Sequence, residues 1–502
     1  MKNNTISRRS FLNSLGTAGA ALSFLSLTDA LPPLKKINSF FTGKDPDLEF
    51  LVRAKPDTAA IFKGPETKVW RYEGEIIRGP KDALRIIPGS FLGPIIHARR
   101  GQAVRIHFIN QLPESSIIHW HGLHVPEMAD GHPRLAVNTN NTYVYDFTIK
   151  DRAGMYWYHP HPHGRTALQV YMGLAGLLIV SDEEEDQLAL PSREFDIPLV
   201  IQDRVFDENN QFEYDSEEVR GYGAIGDQFL VNGAPNYELP AATRPYRLRV
   251  LNGSNARIYT LAWSDGSPLT VIGTDGGLLE NPVKRDYLVL SPAERVDLWV
   301  DFSKYEIGAQ LQLLDLDPYD LNFAEGKKII SININKKENV DSSVPQNLSA
   351  LHLNSEMEAV NQKNPKIFQL SMGAGMMGLI NGRSFDMHAI TTDEQVKLGD
   401  LEVWQFENLT TNGEMSLPHP MHIHGLQFQI LQRQSDPKFQ KINALINKGQ
   451  VDEGWHDTVL VMPGEKVKIL MKFTDYDGLY LYHCHNLEHE DMGMMRNYRV
   501  VS

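Results

Sequence analysis

With 502 residues, 42% of them hydrophobic, and with 38 glycines and 28 prolines, the chain is long enough for two to four globular, loop-rich domains. Its 49 basic against 63 acidic residues argue against nucleic-acid binding, because the phosphate backbone is met by basic surface. A single cysteine, Cys484, excludes an intramolecular disulfide.

Residues 1–30 read as an export signal. Ser7-Arg8-Arg9-Ser10-Phe11-Leu12 resembles the twin-arginine pattern, Leu15 to Leu27 is a short apolar run, and Thr28-Asp29-Ala30 offers a cleavage site. The run is too short and too rich in Gly and Ser to span a bilayer, and no later stretch approaches the roughly 20 apolar residues a membrane helix needs. The expectation is a periplasmic or otherwise exported protein with no membrane insertion in its mature form. Its partner in transit is the twin-arginine machinery, which moves folded cargo and suits a cofactor loaded beforehand. Removing Lys2, Arg8 and Arg9 along with Asp29 leaves a net charge of −16.

The remaining chain echoes itself. Arg100 to Phe108 alternates like a strand and is followed by His119-Trp120-His121-Gly122-Leu123. Leu398 to Phe406 repeats the pattern and is followed by His419-Pro420-Met421-His422-Ile423-His424-Gly425. The two thirds also close alike, Ala153 to His161 matching Asp477 to His485, with Pro160 in the place of Cys484. The middle third keeps strand-like pieces, Tyr246–Asn252 and Arg295–Val300, without histidines at the corresponding places. Many short strands with Gly, Pro and Asn turns predict an all-β chain with one β-sandwich per repeat. Boundaries are expected at the acidic run Asp182–Asp186 and in the polar stretch from about Lys336 to Lys363. The domains then run over 45–190, 191–345 and 364–502.

Histidines carry the chemistry. Twelve of the 18 fall in four groups, at 119/121/124, 159/161/163, 419/422/424 and 483/485/489. His-x-His on a strand sets two imidazoles on one face, about 6–7 Å apart. The pairs His119/His121, His159/His161, His422/His424 and His483/His485 supply eight imidazoles. If the first and third repeats pack together, those eight converge between domains and suit three metals. Gly478-Leu479-Tyr480-Leu481-Tyr482 reads as a buried strand leading into His483-Cys484-His485, so Cys484 faces away from its two neighbours. On the thiolate side stand His489 and Met494. Cys, two His and a weak axial Met form a blue-copper ligand set, and imidazole-rich sites beside it favour copper.

These four segments, in this order, resemble those of the multicopper oxidases, the three-domain kind that includes bacterial laccases, bilirubin oxidase and copper-efflux oxidases. The resemblance covers essentially the whole mature chain. It implies three cupredoxin-like Greek-key β-sandwich domains and four copper ions. A type 1 copper is implied on His419, Cys484 and His489 with Met494 axial, and a type 2 copper on His119 and His422. A type 3 pair is implied on His121, His159, His161, His424, His483 and His485, in a trinuclear cluster shared by the first and third domains. The implied activity is one-electron oxidation of a small phenolic or similar donor, coupled to four-electron reduction of O2 to water. Electrons would cross from Cys484 to its covalent neighbours His483 and His485. The family pattern also points to two proton-handling carboxylates, Asp130 near the type 2 side and Glu490 near the type 3 side.

His163 faces Leu487 in the repeat comparison and is not taken as a ligand. His124, His132, His352, His388 and His456 are expected beside ligands or on the surface, and the middle domain is expected to be purely structural, completing the interfaces between its neighbours. Met372, Met376, Met377 and Met387 read as gap-filling residues rather than a dedicated cuprous-ion site. A cuprous oxidase for copper tolerance is the alternative activity. From another class comes a copper-free structural relative, like the cell-division protein with this fold, against which the intact ligand positions weigh. A two-domain copper nitrite reductase is disfavoured by length and by the His483-Cys484-His485 pairing.

Overall fold

Strands in this chain come in two kinds, and the difference locates the site. Along Thr142–Thr148, Tyr143, Tyr145 and Phe147 are buried while the residues between them are only partly covered, the two-residue alternation of a strand with one face on a core. Gly154–Pro160 and His419–Ile423 are buried along their whole length, as is Gly478–Cys484 apart from its first residue. A strand buried on both faces must satisfy any polar side chain it carries. These three carry histidines.

The computed structural model describes residues 45–502 apart from 216, 218, 220, 320, 341–342 and 409–415. The export signal expected at 1–30 lies outside the described residues. Among the described residues the strands form six sheets, two in each third of the chain. In the first third, Thr67–Arg78, Leu48–Ala59, Ala103–Asn110 and Thr142–Thr148 make one sheet. Leu84–Arg85, Ile95–Arg99, Gly176–Ser181, Gly154–Pro160 and Ile118–His121 make the other. The threefold echo is topological as well as sequential. The opening strand of each third runs parallel to a later one: Leu48–Ala59 with Ala103–Asn110, Asp196–Arg204 with Pro245–Asn252, and Lys366–Met372 with Leu401–Asn408. In each second sheet another strand likewise runs parallel to the last strand of its third, and in the middle and final thirds it is an edge strand. Such non-local pairings are what Greek-key connections produce, and the chain is an all-β assembly of three cupredoxin-like sandwiches.

Each sandwich has its own apolar core. Phe50, Ile106, Trp120 and Phe147 belong to the first, Leu248, Leu261, Leu298 and Ile332 to the middle one, and Phe368, Trp404, Phe406 and Ile469 to the third. The acidic run between the first two is more ordered than a solvated boundary. Asp182 caps a short helix, Glu183–Asp186, by accepting from the Glu185 amide. Glu185 then meets Arg247 and Arg249, two buried arginines on one strand that are also held by Asp297 and Asp196. Removing one member of such a buried ionic cluster costs about 3–5 kcal/mol.

The middle sandwich is pressed against both neighbours by the turn at Asp275-Gly276-Gly277. A Cβ on Gly276 would sit 2.3 Å from Trp455 Cβ in the third sandwich, and one on Gly277, at φ +94°, would sit 2.2 Å from the Ala153 carbonyl oxygen in the first. Only glycine admits approaches this close. Among its described residues the polar stretch near Lys336–Lys363 contributes a single 3-10 turn, Glu356–Glu358.

Candidate metal centres

Strand register brings the histidines together. His119 stands opposite His159 on antiparallel strands of the first sandwich, and His422 opposite His483 in the third. The rings of His119, His121, His159, His161, His422, His424, His483 and His485 then form one buried cluster, each within ring-to-ring contact of others. The cluster lies between the first and third sandwiches. His119 and His424 stack at 3.7 Å, as do His121 and His422.

The outer nitrogens of six rings meet groups that accept hydrogen bonds. His119 Nδ1 donates to the Asp130 carbonyl at 2.6 Å, His422 Nδ1 to the Asp457 carbonyl at 2.7 Å, and His159 Nδ1 to the Pro160 carbonyl at 3.0 Å. His483 Nδ1 donates to the Cys484 carbonyl at 3.0 Å, His424 Nδ1 to Asp130 Oδ2 at 2.8 Å, and His121 Nε2 to Asp457 Oδ1 at 3.0 Å. A carbonyl cannot donate, so the outer nitrogens of His119, His422, His159 and His483 carry the proton and their inner ones present the lone pair. The Asp130 and Asp457 carboxylates serve as acceptors for the other two rings when ionised. Inner nitrogens face one another closely: His119 Nε2 and His422 Nε2 at 3.3 Å, His121 Nδ1 and His159 Nε2 at 3.4 Å, and His424 Nε2 and His483 Nε2 at 3.0 Å. His161 Nε2 lies 3.3 Å from His483 Nε2.

Lone pair facing lone pair is repulsive, and protons cannot relieve it. Burial, reinforced by the neighbouring rings, pushes His119, His121, His422, His424 and His485 well below the ordinary imidazole value, and burial takes His159 down to about 3. His485 has neither ring nitrogen hydrogen-bonded. Neutral imidazoles with converging lone pairs are what metal cations require, and outer N–H bonds of this kind orient metal-binding histidines.

On the opposite face of the last of these strands lies a second donor set. Cys484 Sγ is 3.5 Å from His419 Nδ1 and 3.6 Å from His489 Nδ1, all three buried. His489 Nε2 donates to the Gly221 carbonyl at 3.1 Å, which leaves its Nδ1 lone pair for the thiol side. Burial pushes the Cys484 thiol above its ordinary value, so a thiolate here depends on a bound cation. Met494 is buried in the same core cluster as Cys484, and its carbonyl accepts from the Cys484 amide. A thiolate, two imidazoles and a thioether suit a soft one-electron metal such as copper.

Both carboxylates singled out in the sequence are buried against the histidine cluster. Asp130 Oδ2 accepts from His424, and its Oδ1 has no hydrogen-bond partner; burial, then the Glu127 charge, raises its pKa well above the usual carboxylate range. Glu490 approaches His161 Nε2 at 3.5 Å and His483 Nδ1 at 3.1 Å. Burial pushes Glu490 up, but the imidazoles of His161 and His483 outweigh it and hold the group low.

The other histidines lie apart from the cluster. His163 is exposed and leans on the Phe385 ring, His352 and His388 are exposed, and His132 is buried against Asn497. His124 donates to the Gly425 carbonyl, and His456 meets the Glu453 carbonyl. Met372 is core, Met376 packs against it, and Met377 lines a cleft with Met492.

The middle sandwich, expected from sequence to complete the interfaces between its neighbours, reaches the back of the histidine cluster. Arg295 and Asp275 of that sandwich are buried, and Arg295 holds both carboxylate oxygens of Asp457, at 2.8 and 2.6 Å, behind His121 and His422. Sequence reading missed Asp457. The available signal was an acid set immediately before the apolar run Thr458–Val461.

Sequence models of the multicopper oxidase family match residues 68–185 and 359–502. The chain is 34% identical to a multicopper oxidase of Staphylococcus haemolyticus over 82% of its length and 83% of that protein. It is 30% identical to the laccase of Bacillus subtilis, covering 86% of this chain and 90% of the relative. The cell division protein FtsP of Xenorhabdus nematophila is 29% identical over 98% of both chains. Among solved structures, the McoA multicopper oxidase of Aquifex aeolicus aligns with a TM-score of 0.77 at 36% identity, covering 91% of this chain and 97% of that one.

Proposed function

Because the chain belongs to the multicopper oxidase family, we propose that it couples the one-electron oxidation of phenolic or similar donors to the four-electron reduction of O2 to water. The observation that carries this reading is the segment His483-Cys484-His485, at the end of the strand Gly478–Cys484, whose two faces belong to two donor sets. Within it, His419, Cys484, His489 and Met494 would hold the type 1 copper. His119 and His422 would hold the type 2 copper, and His121, His159, His161, His424, His483 and His485 the type 3 pair. When bound, the coppers supply one-electron transfer at the thiolate site and dioxygen reduction at the histidine cluster.

The rest is the work of the chain's own groups. Two peptide units link Cys484 to His483 and His485, a covalent route between the two faces. Glu490, held low by its imidazole neighbours, is a carboxylate able to accept a proton beside His161 and His483. Asp130 has the opposite bias: it can hold a proton at its unpartnered Oδ1 while Oδ2 keeps accepting from His424. Carboxylates whose environments push their affinities apart suit delivery and uptake of protons at one site.

The donor reading is supported by a cavity of about 200 Å³ against His489, lined by Tyr222, Ile225, Pro318, Tyr319 and Pro418. Apolar and aromatic walls suit an aromatic ring better than a hydrated metal ion. Cuprous-ion oxidation is the second reading, favoured by the cleft where Met377 and Met492 stand beside Glu488 and Asp491. The domain limits at 45–190, 191–345 and 364–502 and export by the twin-arginine pathway belong to the same proposal. Among the described residues no helix is long and apolar enough to cross a membrane.

The test is copper analysis of anaerobically reconstituted protein, followed by O2 uptake with a phenol, bilirubin and Cu(I) in turn. Four coppers per chain and turnover of the phenol are expected. One copper or none rejects the trinuclear assignment and favours a structural role of the kind suggested by the likeness to FtsP. Turnover of Cu(I) alone favours the second reading.

A further inference from the structure

The middle sandwich supplies none of the converging nitrogens, yet one of its buried cations points at them. Arg295 opens the strand Arg295–Asp301 and is 1% exposed. Its five N–H donors are all used. Nε donates to the Met155 carbonyl at 3.0 Å, Nη1 to the Ala293 carbonyl at 3.3 Å and Asp457 Oδ1 at 2.8 Å, and Nη2 to the Asp275 carbonyl at 2.9 Å and Asp457 Oδ2 at 2.6 Å. One guanidinium therefore ties together the first sandwich (Met155), the middle one (Ala293, Asp275) and the third (Asp457). A planar fork is the group that meets a carboxylate through two parallel bonds, and lysine cannot reproduce it.

Asp457 in turn holds two rings of the cluster by different atoms. Its Oδ1 accepts from His121 Nε2 at 3.0 Å and from Thr458 Oγ1 at 3.0 Å, and its backbone carbonyl accepts from His422 Nδ1 at 2.7 Å. His121 belongs to the first sandwich and His422 to the third, and their rings stack at 3.7 Å. The middle sandwich grips Asp457 a second time, since Asp275 Oδ2 receives the Asp457 and Thr458 amides at 3.3 and 3.4 Å while Asp275 Oδ1 accepts from the Arg295 amide at 2.8 Å. There is no slack in this arrangement. At Gly122, the residue after His121, a Cβ would lie 2.4 Å from Asp457 Oδ2 and 2.8 Å from Arg295 Nη2.

We propose that Arg295 is a positioning residue through which the middle domain sets the orientation of His121 and His422, by fixing the Asp457 carboxylate behind them. The proposal rests on the reading of the histidine cluster as a trinuclear copper site. A metal-binding histidine whose outer N–H loses its oriented acceptor typically binds its metal 10- to 100-fold more weakly. Without the guanidinium, Asp457 is left as a buried charge with one cationic side open, free to turn away from His121. The thiolate site stands outside this chain of contacts, because His419, Cys484 and His489 have no bond to Arg295, Asp275 or the Asp457 carboxylate.

The test uses full-length, copper-loaded protein with Arg295→Met and Arg295→Lys. Copper retention is followed during dialysis against a graded chelator series, together with the type 2 electron paramagnetic resonance signal, the type 3 near-ultraviolet absorption and the blue absorption. Arg295→Met is expected to release trinuclear copper at roughly 10- to 100-fold lower chelator concentration while the blue absorption persists. Arg295→Lys, which restores the charge without the fork, should show a smaller shift in the same direction. If Arg295→Met fails to accumulate, Arg295→Lys decides alone: a selective loss of trinuclear copper supports the proposal. Wild-type retention and spectra in a folded variant overturn it, and so does parallel loss of blue and trinuclear copper, which would mark Arg295 as a general fold residue. Wild-type protein that never loads the trinuclear copper would instead sink the reading of the cluster, so the two failures are distinguishable.

Discussion

Cys484 and His483 are consecutive residues whose side chains leave one strand on opposite faces. Cys484 Sγ stands 3.5 Å from His419 Nδ1, while His483 Nε2 stands 3.0 Å from His424 Nε2. The separation follows from the two-residue period of the strand rather than from either side chain, so each face is open to independent mutation. Cys484→Ser is expected to remove the intense thiolate-to-copper absorption and nearly all steady-state oxidation, because a hydroxyl is a poor ligand in a site built for a soft thiolate. Three coppers should remain, and the chemically reduced variant should still consume O2 in a single turnover. Loss of all copper on metal analysis, or wild-type turnover, contradicts the division into two faces.

What the sequence revealed and what it hid divide along contact range. The eight imidazoles were legible because His-x-His fixes a shared face locally and because the pattern recurs in two repeats. Cys484 was legible for the same reason, the strand period placing it opposite its neighbours. Asp130 and Glu490 were suggested by the family pattern, and what was hidden was their burial, which separates a buried proton-handling carboxylate from a solvated loop acid. Asp457 was missed altogether. Its partners His121 and Arg295 lie 336 and 162 residues away, and no local periodicity encodes a contact between three sandwiches. The tautomers were also beyond reach, since they depend on backbone carbonyls such as those of Asp130 and Asp457 that only the folded chain brings to the rings.

Glu490 tests the proton side of the mechanism. Its carboxylate reaches His161 Nε2 and His483 Nδ1, while Asn486 and the short helix Leu487–Asp491 fix its position. Glu490→Gln keeps the shape and removes the titrating oxygen. The expected result is a fall of roughly 10²-fold in kcat for O2 reduction, the size of effect associated with a lost general acid or base. The blue absorption, the copper count and the rate at which a donor reduces the blue site under anaerobic conditions should stay as in the wild type. Stopped-flow measurement of that reduction, set beside steady-state O2 uptake, separates the two. A matching decline in both would place Glu490 on the electron path or in the fold rather than on the proton path.

The pH dependence of stability can be probed at a residue of neither donor set, Asp315 in the middle sandwich. Asp315 is buried; its Oδ1 accepts from the Thr260 amide, and Arg257 reaches Oδ2 only at 3.6 Å. Burial is the main cause that raises its pKa to about 6, the Thr260 bond and Arg257 only partly opposing it. The unfolded chain ionises this group near the ordinary 3.8. Below that value both states are protonated and the group contributes nothing to the pH dependence. Between 3.8 and about 6 the folded state holds a proton that the unfolded state has lost, so stability falls as pH rises. Above about pH 6 the penalty is complete and constant, on the order of 3 kcal/mol at most, each tenfold difference in proton affinity being worth about 1.4 kcal/mol. Asp315→Asn keeps an acceptor for the Thr260 amide, leaves the Arg257–Asp203 pair at 2.8 Å intact, and removes the charge. The variant should therefore melt above the wild type at pH 7 and lose that advantage progressively as pH is lowered toward 4. Thermal unfolding of both proteins across this range measures the difference directly. An advantage that is absent at pH 7, or that grows toward pH 4, would show that the folded state carries Asp315 as a stabilised carboxylate paired with Arg257.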